Sequence, residues 1–331
     1  YIKGDAISLG AVGHRRSGYP ARKMSTMNVT THKHYNDPDL DAKEYIKGDA
    51  ISLGAVGHRR SGYPARKMST MNVTTHKHYN DPDLDAKELV NTHFSHGKIS
   101  IIEETMGFPT RVIHDLASKG ELKGEKVLDI SIGSIPYQLF SVSSFVKEIY
   151  VVQMTDTSFR HFNQWLEKDN GATDWSHASK RVCHLEGNRQ GWQEKEDQTS
   201  SLIKGVYKWD NYETNSLDPA LVPQVDCVIT LWILNVISKT KDDLLKNLVS
   251  LTSRLKAGGQ LLVFMVLDMT FYMVGSHRYF CLTLDEKELQ ELVIKAGFII
   301  EKSSLLRGVE PNDIVDYSHM CCVLARKIKE A

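Results

Sequence analysis

Between Lys126 and Tyr137 the chain brings Asp129, Ser131, Gly133, Ser134, Pro136 and Tyr137 close together in sequence. An apolar run ending near a carboxylate, then a small-residue turn, then a proline opening a helical pattern, is how a first strand hands over to a first helix in a nucleotide-binding α/β sheet. The chemistry of such a turn is recognition, because glycine lets backbone N–H groups approach a ligand closely. One glycine alone is a weak fingerprint. His76 and His78 are metal-ligand types, but i, i+2 spacing in a polar segment without a third ligand predicts no metal site.

These residues need a frame, and the hydrophobic pattern supplies one. Strands are predicted at residues 126–130, 148–154, 206–209, 225–231 and 260–267, with a possible extra strand at 181–185. Helices are predicted at 136–146, 157–168, 193–206, 241–255 and 285–296, the last with Asp285 as N-cap and Gly297 as C-terminal glycine. The alternation implies a parallel sheet. Residues 298–305 and 320–325 read as strands with no long helix between them, so they should pair antiparallel at the sheet edge. Lys256, Ala257, Gly258 and Gly259 form a tight turn before the fifth strand. Upstream, 89–94 and 101–116 read as accessory helices, the second interrupted by Pro109.

The 331 residues carry 41 basic and 41 acidic side chains, so nothing points to nucleic acid or a charged membrane surface. Five cysteines without a C-x-x-C pair fit buried thiols in a reducing, cytoplasmic compartment. No apolar stretch approaches the roughly 20 residues of a membrane span, and the first residues lack the apolar core of a secretory signal. Residues 1–44 recur letter for letter as 45–88, which marks either a recent duplication or a transcript-assembly error and carries no architectural weight. The expected organisation is a duplicated, disordered leader over 1–70, with Met71 a possible start. An N-terminal lid with accessory helices follows over 71–123, and the main α/β domain spans 124–331.

Several short stretches, in order, carry a resemblance: Ile135-Pro136-Tyr137-Gln138, Lys147-Glu148-Ile149, Trp165-Leu166-Glu167-Lys168, Asp174-Trp175, Leu185-Glu186-Gly187-Asn188, Asp226-Cys227-Val228, Tyr272-Met273-Val274-Gly275 and Ala325-Arg326-Lys327. Together they resemble the nicotinamide, phenylethanolamine and indolethylamine N-methyltransferase family of class I S-adenosylmethionine-dependent enzymes. The resemblance implies a Rossmann-like, mostly parallel seven-stranded sheet with an antiparallel C-terminal pair. It also implies S-adenosylmethionine as cofactor, a small amine, aromatic or indole-like, as acceptor, and a monomer. By the same resemblance, the cofactor would meet Phe94, Ser131, Gly133, Tyr137, Gln153, Ser158, Asp210, Asn211 and Leu231. The acceptor would meet Leu89, Met265, Asp268, Tyr272 and Cys281, with His93 beside Leu89 in the lid and Trp232 helping Phe94 and Tyr272 to form an apolar wall.

Four positions depart from the family pattern. Ser131 and Ile132 replace Gly and Ser in the loop, where a Cβ and added bulk restrict φ/ψ. Gln153 replaces the ribose-binding acid, giving one acceptor and one donor in place of paired acceptors. Met265 replaces an acid on the acceptor side. Two functional classes follow: an N-methyltransferase of small amines, or a catalytically silent relative that uses the fold to bind another small molecule or a protein.

Overall fold

The computed structural model describes residues 76–95, 101–187, 191–209, 217–307 and 312–328. Asp210 and Asn211, the leader over 1–70 and Met71 lie outside them.

Seven strands form one sheet: β1 (Lys126–Asp129), β2 (Glu148–Gln153), β3 (Ile203–Lys208), β4 (Val225–Leu231), β5 (Leu255–Leu267), β8 (Phe298–Arg307) and β9 (His319–Lys327). Their order is β3-β2-β1-β4-β5-β9-β8. Strands β1 to β5 pair in parallel, whereas β9 runs antiparallel to both β5 and β8. The expected closing pair is therefore present, with β8 on the edge. The chain reverses its direction of strand addition beside β1, and in open α/β sheets a ligand binds at such a switch, beyond the strands' carboxyl ends. The central strands are continuous apolar runs because helices cover both faces; β4 shows this, with every residue but Asp226 buried.

The helices that flank the site are α3 (Tyr137–Val142), α4 (Asp156–Leu166), α5 (Ser176–Leu185) and α6 (Trp192–Leu202). Preceding them are α1 (Ala86–His93), a π-helical turn (Glu103–Gly107) and α2 (Phe108–Ser118). Pro109 opens α2 instead of breaking it, since the first turn of a helix needs no N–H from that residue. Asp85 caps α1, accepting from the Lys87 and Glu88 amides. On the other side of the sheet's centre lie α7 (Leu234–Ile237), α8 (Lys241–Leu251) and α9 (Glu286–Lys295). Both longer helices begin with a reciprocal capping box, Thr240 with Asp243 and Asp285 with Glu288.

Two sequence expectations fail here. Residues 181–185 are the last half of α5, not a strand; Ala178, Ser179, Val182 and Cys183 are buried at helical spacing, a period too short to see within five residues. The helix expected to reach Val206 stops at Leu202, because Ile203 to Lys208 join the sheet against β2, where β-branched and aromatic side chains pack well. The hairpin β6 (Phe271–Val274) and β7 (His277–Phe280) was not anticipated. Residues 256–259 loop out of β5, whose register against β4 jumps from Val225↔Leu255 to Cys227↔Gln260. Beside this bulge the Asp226 carboxylate accepts from the Glu125 and Lys126 amides and from Lys256 Nζ, which fixes the entry of β1.

Candidate active site

The loop after β1 is tied to β4 by Ile130 N–H donating to Ile229 O and Ile132 N–H to Leu231 O, each at 2.9 Å. Leu231 thus meets the loop through its backbone. Only Gly133 takes a positive φ there, +58°, so Ser131 and Ile132 occupy ordinary backbone and the expected conflict with φ > 0 does not arise. A Cβ at Gly133 would stand 3.0 Å from Leu89 Cδ2. The Gly133 N–H donates to Tyr79 Oη at 2.8 Å, so a lid phenol covers the turn.

Asp129 is fully buried at the end of β1. Its carboxylate accepts from Ser131 Oγ at 2.8 Å and from Gln138 Nε2 at 3.0 Å. Burial pushes the acid up to about 7, against the pull of those two donors. Ser131 therefore faces Asp129, and the residue expected to crowd a ligand braces the loop instead.

Tyr137, the first residue of α3, is fully buried. Its hydroxyl donates to Thr105 O at 2.6 Å and accepts from Trp232 Nε1 at 3.1 Å. Its ring packs against Phe94 and Trp175, with centroids 5.8 Å and 6.2 Å away. Trp232 follows β4 at φ +61°, a strained conformation for a bulky residue, held by its N–H on Phe264 O and its indole on Tyr137.

At the end of β2, Gln153 is 1 % exposed, and neither Oε1 nor Nε2 has a hydrogen-bond partner among the described residues. A buried amide without partners costs free energy, and it lies where a ligand would satisfy it. Ser158 is less available, since its hydroxyl is bonded to Thr155, the N-cap of α4.

Beside the loop lies a cavity of about 50 Å³, walled by Leu89, His93, Phe94, Ile132, Trp232 and Tyr272 among others. The anticipated wall of Phe94, Trp232 and Tyr272 is thus assembled, with lid, loop and hairpin each contributing. His93 Nε2 donates to Met273 O at 2.7 Å, and burial lowers the imidazole to about 4, so it is neutral at pH 7.

Three expected acceptor residues do not reach this cavity. Met265 precedes the lining residue Val266 on β5 and so faces the opposite side of the sheet. Asp268 is exposed, at φ +59°, and accepts from Ser318 Oγ. Cys281 is buried with Asn235 Nδ2 donating to its sulfur at 2.9 Å. Sequence reasoning missed Tyr79, Thr105 and Tyr317. Tyr79 sits in a polar segment with no period to mark it; the only signal is a lone aromatic among charged residues. His76 and His78, considered as metal ligands, pack their rings near Phe271 and Phe280.

A sheet of this order, with one reversed strand and its pocket at the parallel strands' carboxyl ends, defines a class I methyltransferase fold. The chain belongs to the NNMT/PNMT/TEMT family, whose model matches residues 71–328. It is 33 % identical to indolethylamine N-methyltransferase of Oryctolagus cuniculus over 244 residues, 72 % of this chain and 91 % of that protein. It is 30 % identical to nicotinamide N-methyltransferase of Homo sapiens, over 62 % of this chain and 78 % of that one. Phenylethanolamine N-methyltransferase of Macaca mulatta is 28 % identical over 57 % and 67 %. Among solved structures, a SAM-dependent methyltransferase from Methanosarcina mazei superposes with a TM-score of 0.45 at 15 % identity, covering 66 % of this chain and 98 % of that one.

Proposed function

We propose that the protein is an S-adenosylmethionine-dependent N-methyltransferase acting on a small, largely apolar amine, aromatic or indole-like. The observation that carries this reading is the unpaired, buried amide of Gln153 at the carboxyl end of β2, in line with the Gly133 turn on β1. One acceptor and one donor suit a ribose diol, so the residues present fit the cofactor. Gln153 would hold the ribose, and Gly133 and Tyr137 would hold the methionine end, with Ser158 and Leu231 alongside. Tyr79 then has to yield or share the Gly133 N–H. Bound there, the sulfonium supplies an electrophilic methyl group.

The chain's own contribution is position and exclusion of water. Phe94, Tyr137 and Trp232 present aromatic faces, which favour a cationic centre. Among the described residues no carboxylate or cationic side chain lines the acceptor cavity, and His93 is neutral, so an amine enters as its free base. At about 50 Å³ the cavity is smaller than the ~150 Å³ that admits benzene, so the lining residues Leu89, His93 and Phe94 shift to admit an acceptor.

The five cysteines are free and buried, which supports a cytoplasmic site of action. No helix of the described residues is long and apolar enough to cross a membrane. A monomer that binds no nucleic acid completes the reading; light scattering on the eluted protein checks it. Calorimetry with S-adenosylhomocysteine tests the function itself. Binding that weakens in Tyr137→Ala is expected, and absence of heat or of thermal stabilisation at millimolar ligand would leave a silent relative as the better reading.

A further inference from the structure

A second cavity, of about 290 Å³, is walled by His78, Asn80, Val236, Ile237, Lys239, Asp243, Lys246 and Asn247. Val236 also lines the acceptor cavity, so the two are neighbours across α7. Local structure explains how the walls meet. Asp243, Lys246 and Asn247 stand at i, i+3 and i+4 on one face of α8, and Lys239 precedes its N-cap, Thr240. His78 and Asn80 come from the segment before α1. Its Lys77 N–H donates to Arg278 O at 3.0 Å and its Lys77 O accepts from Phe280 N–H at 2.8 Å, which fastens it to β7. The His78 ring then rests against Phe280, with centroids 5.2 Å apart.

The charges in this cavity do not cancel. Neighbouring Lys77 and Lys241 are each committed, the first to Asp81 and Asp83 and the second to Glu288. Lys239 and Lys246 take part in no ion pair among the described residues. Asp243 supplies a single opposing carboxylate, and its Oδ2 already accepts from the Thr240 N–H at 3.0 Å in the capping box. Asn247 Nδ2 donates to Ser238 Oγ at 2.9 Å. Two ammonium groups on one small concavity repel each other unless an anion lies between them. Partial burial, and then the nearby Lys239 ammonium, hold the His78 imidazole below its ordinary value against the pull of Asp81, so it is neutral at pH 7 and has one N–H to donate.

We propose that this cavity is a second ligand site, separate from the methyl-transfer pocket, that takes a small molecule carrying a phosphate group on a compact apolar body. Lysine binds phosphate as a point charge, and two lysines match a dianion better than they match a carboxylate. Val236 and Ile237 supply apolar wall for the rest of the molecule. The volume lies at the lower end of the ~300–1,000 Å³ of small-molecule sites, which suits a phosphate on a ring-sized body. The assignment does not rest on the N-methyltransferase reading.

Phenyl phosphate, inorganic phosphate and benzoate serve as probes, titrated by calorimetry into the full chain with and without S-adenosylhomocysteine. Phenyl phosphate is expected to bind in both conditions, about tenfold more tightly than either of the other two. The double variant Lys239→Gln/Lys246→Gln should weaken it at least about tenfold, whereas Lys204→Gln on the edge strand β3 leaves it unchanged. All these lysines are exposed, so the fold tolerates the changes. The His78 ring resonances should shift on addition of phenyl phosphate. Absence of binding at about 10 mM phenyl phosphate, more than tenfold above a millimolar Kd, overturns the site. So does equal affinity for benzoate, an equal loss in Lys204→Gln, an unchanged affinity in the double variant, or binding that leaves the His78 ring unmoved.

Discussion

Replacing Asp129 with Asn should remove a pH-dependent penalty on folding. In the unfolded chain the carboxyl gives up its proton near 3.8, whereas in the folded protein burial holds it to about 7. Between those values the native state binds more protons than the unfolded state, so stability falls as pH rises through the window and is level above it. The gap corresponds to about 4 kcal/mol at ~1.36 kcal/mol per pH unit. An Asn at this position keeps an acceptor for Ser131 and offers an N–H to Gln138 Oε1, which has no partner among the described residues. Asp129→Asn should therefore exceed the wild type by about 1 kcal/mol near pH 4.5 and by up to about 4 kcal/mol at pH 8. Urea unfolding of both proteins across pH 4.5 to 8 checks this, and the difference between the curves cancels the other titrating groups. Parallel profiles would refute the reasoning, because they would mean that Asp129 is already ionised in the folded loop.

Gly133→Ala combines a positive φ with a Cβ 3.0 Å from Leu89; a loss of about 1–2 kcal/mol in thermal unfolding is expected, along with weaker S-adenosylhomocysteine binding. Gln153→Leu removes an unpaired buried amide and should stabilise the ligand-free protein by about 1–3 kcal/mol while weakening the same ligand. Thermal shifts with and without S-adenosylhomocysteine read the two opposing effects, and a variant changed in the same direction by both would contradict the ribose role of Gln153.

How much was legible in the sequence depended on whether the signal was local. The βα rhythm, the Asp285 cap, the Gly133 turn and the closing antiparallel pair are written in apolar period and turn chemistry within a few residues of each other, and each is found where it was read. Motifs of the family placed the chain as a whole because many short stretches agree in order. Where a segment had two periods available, as at residues 181–185, the pattern was too short to choose and packing against neighbouring helices decided for helix.

The site divides in the same way. The sequence by itself determined which residue types meet at the strand ends: an acid and a glycine after β1, an amide after β2 and aromatic residues after β4 and in the lid. Only tertiary structure decided where their polar atoms point. Ser131 turns to Asp129, Tyr79 reaches Gly133 from 54 residues away, and Tyr272 is bridged to Val315, far along the chain. Met265 and Asp268 kept plausible positions along the chain, yet one faces the other side of the sheet and the other faces solvent. Hydrogen-bond partners depend on distances across the fold, and no local period encodes them.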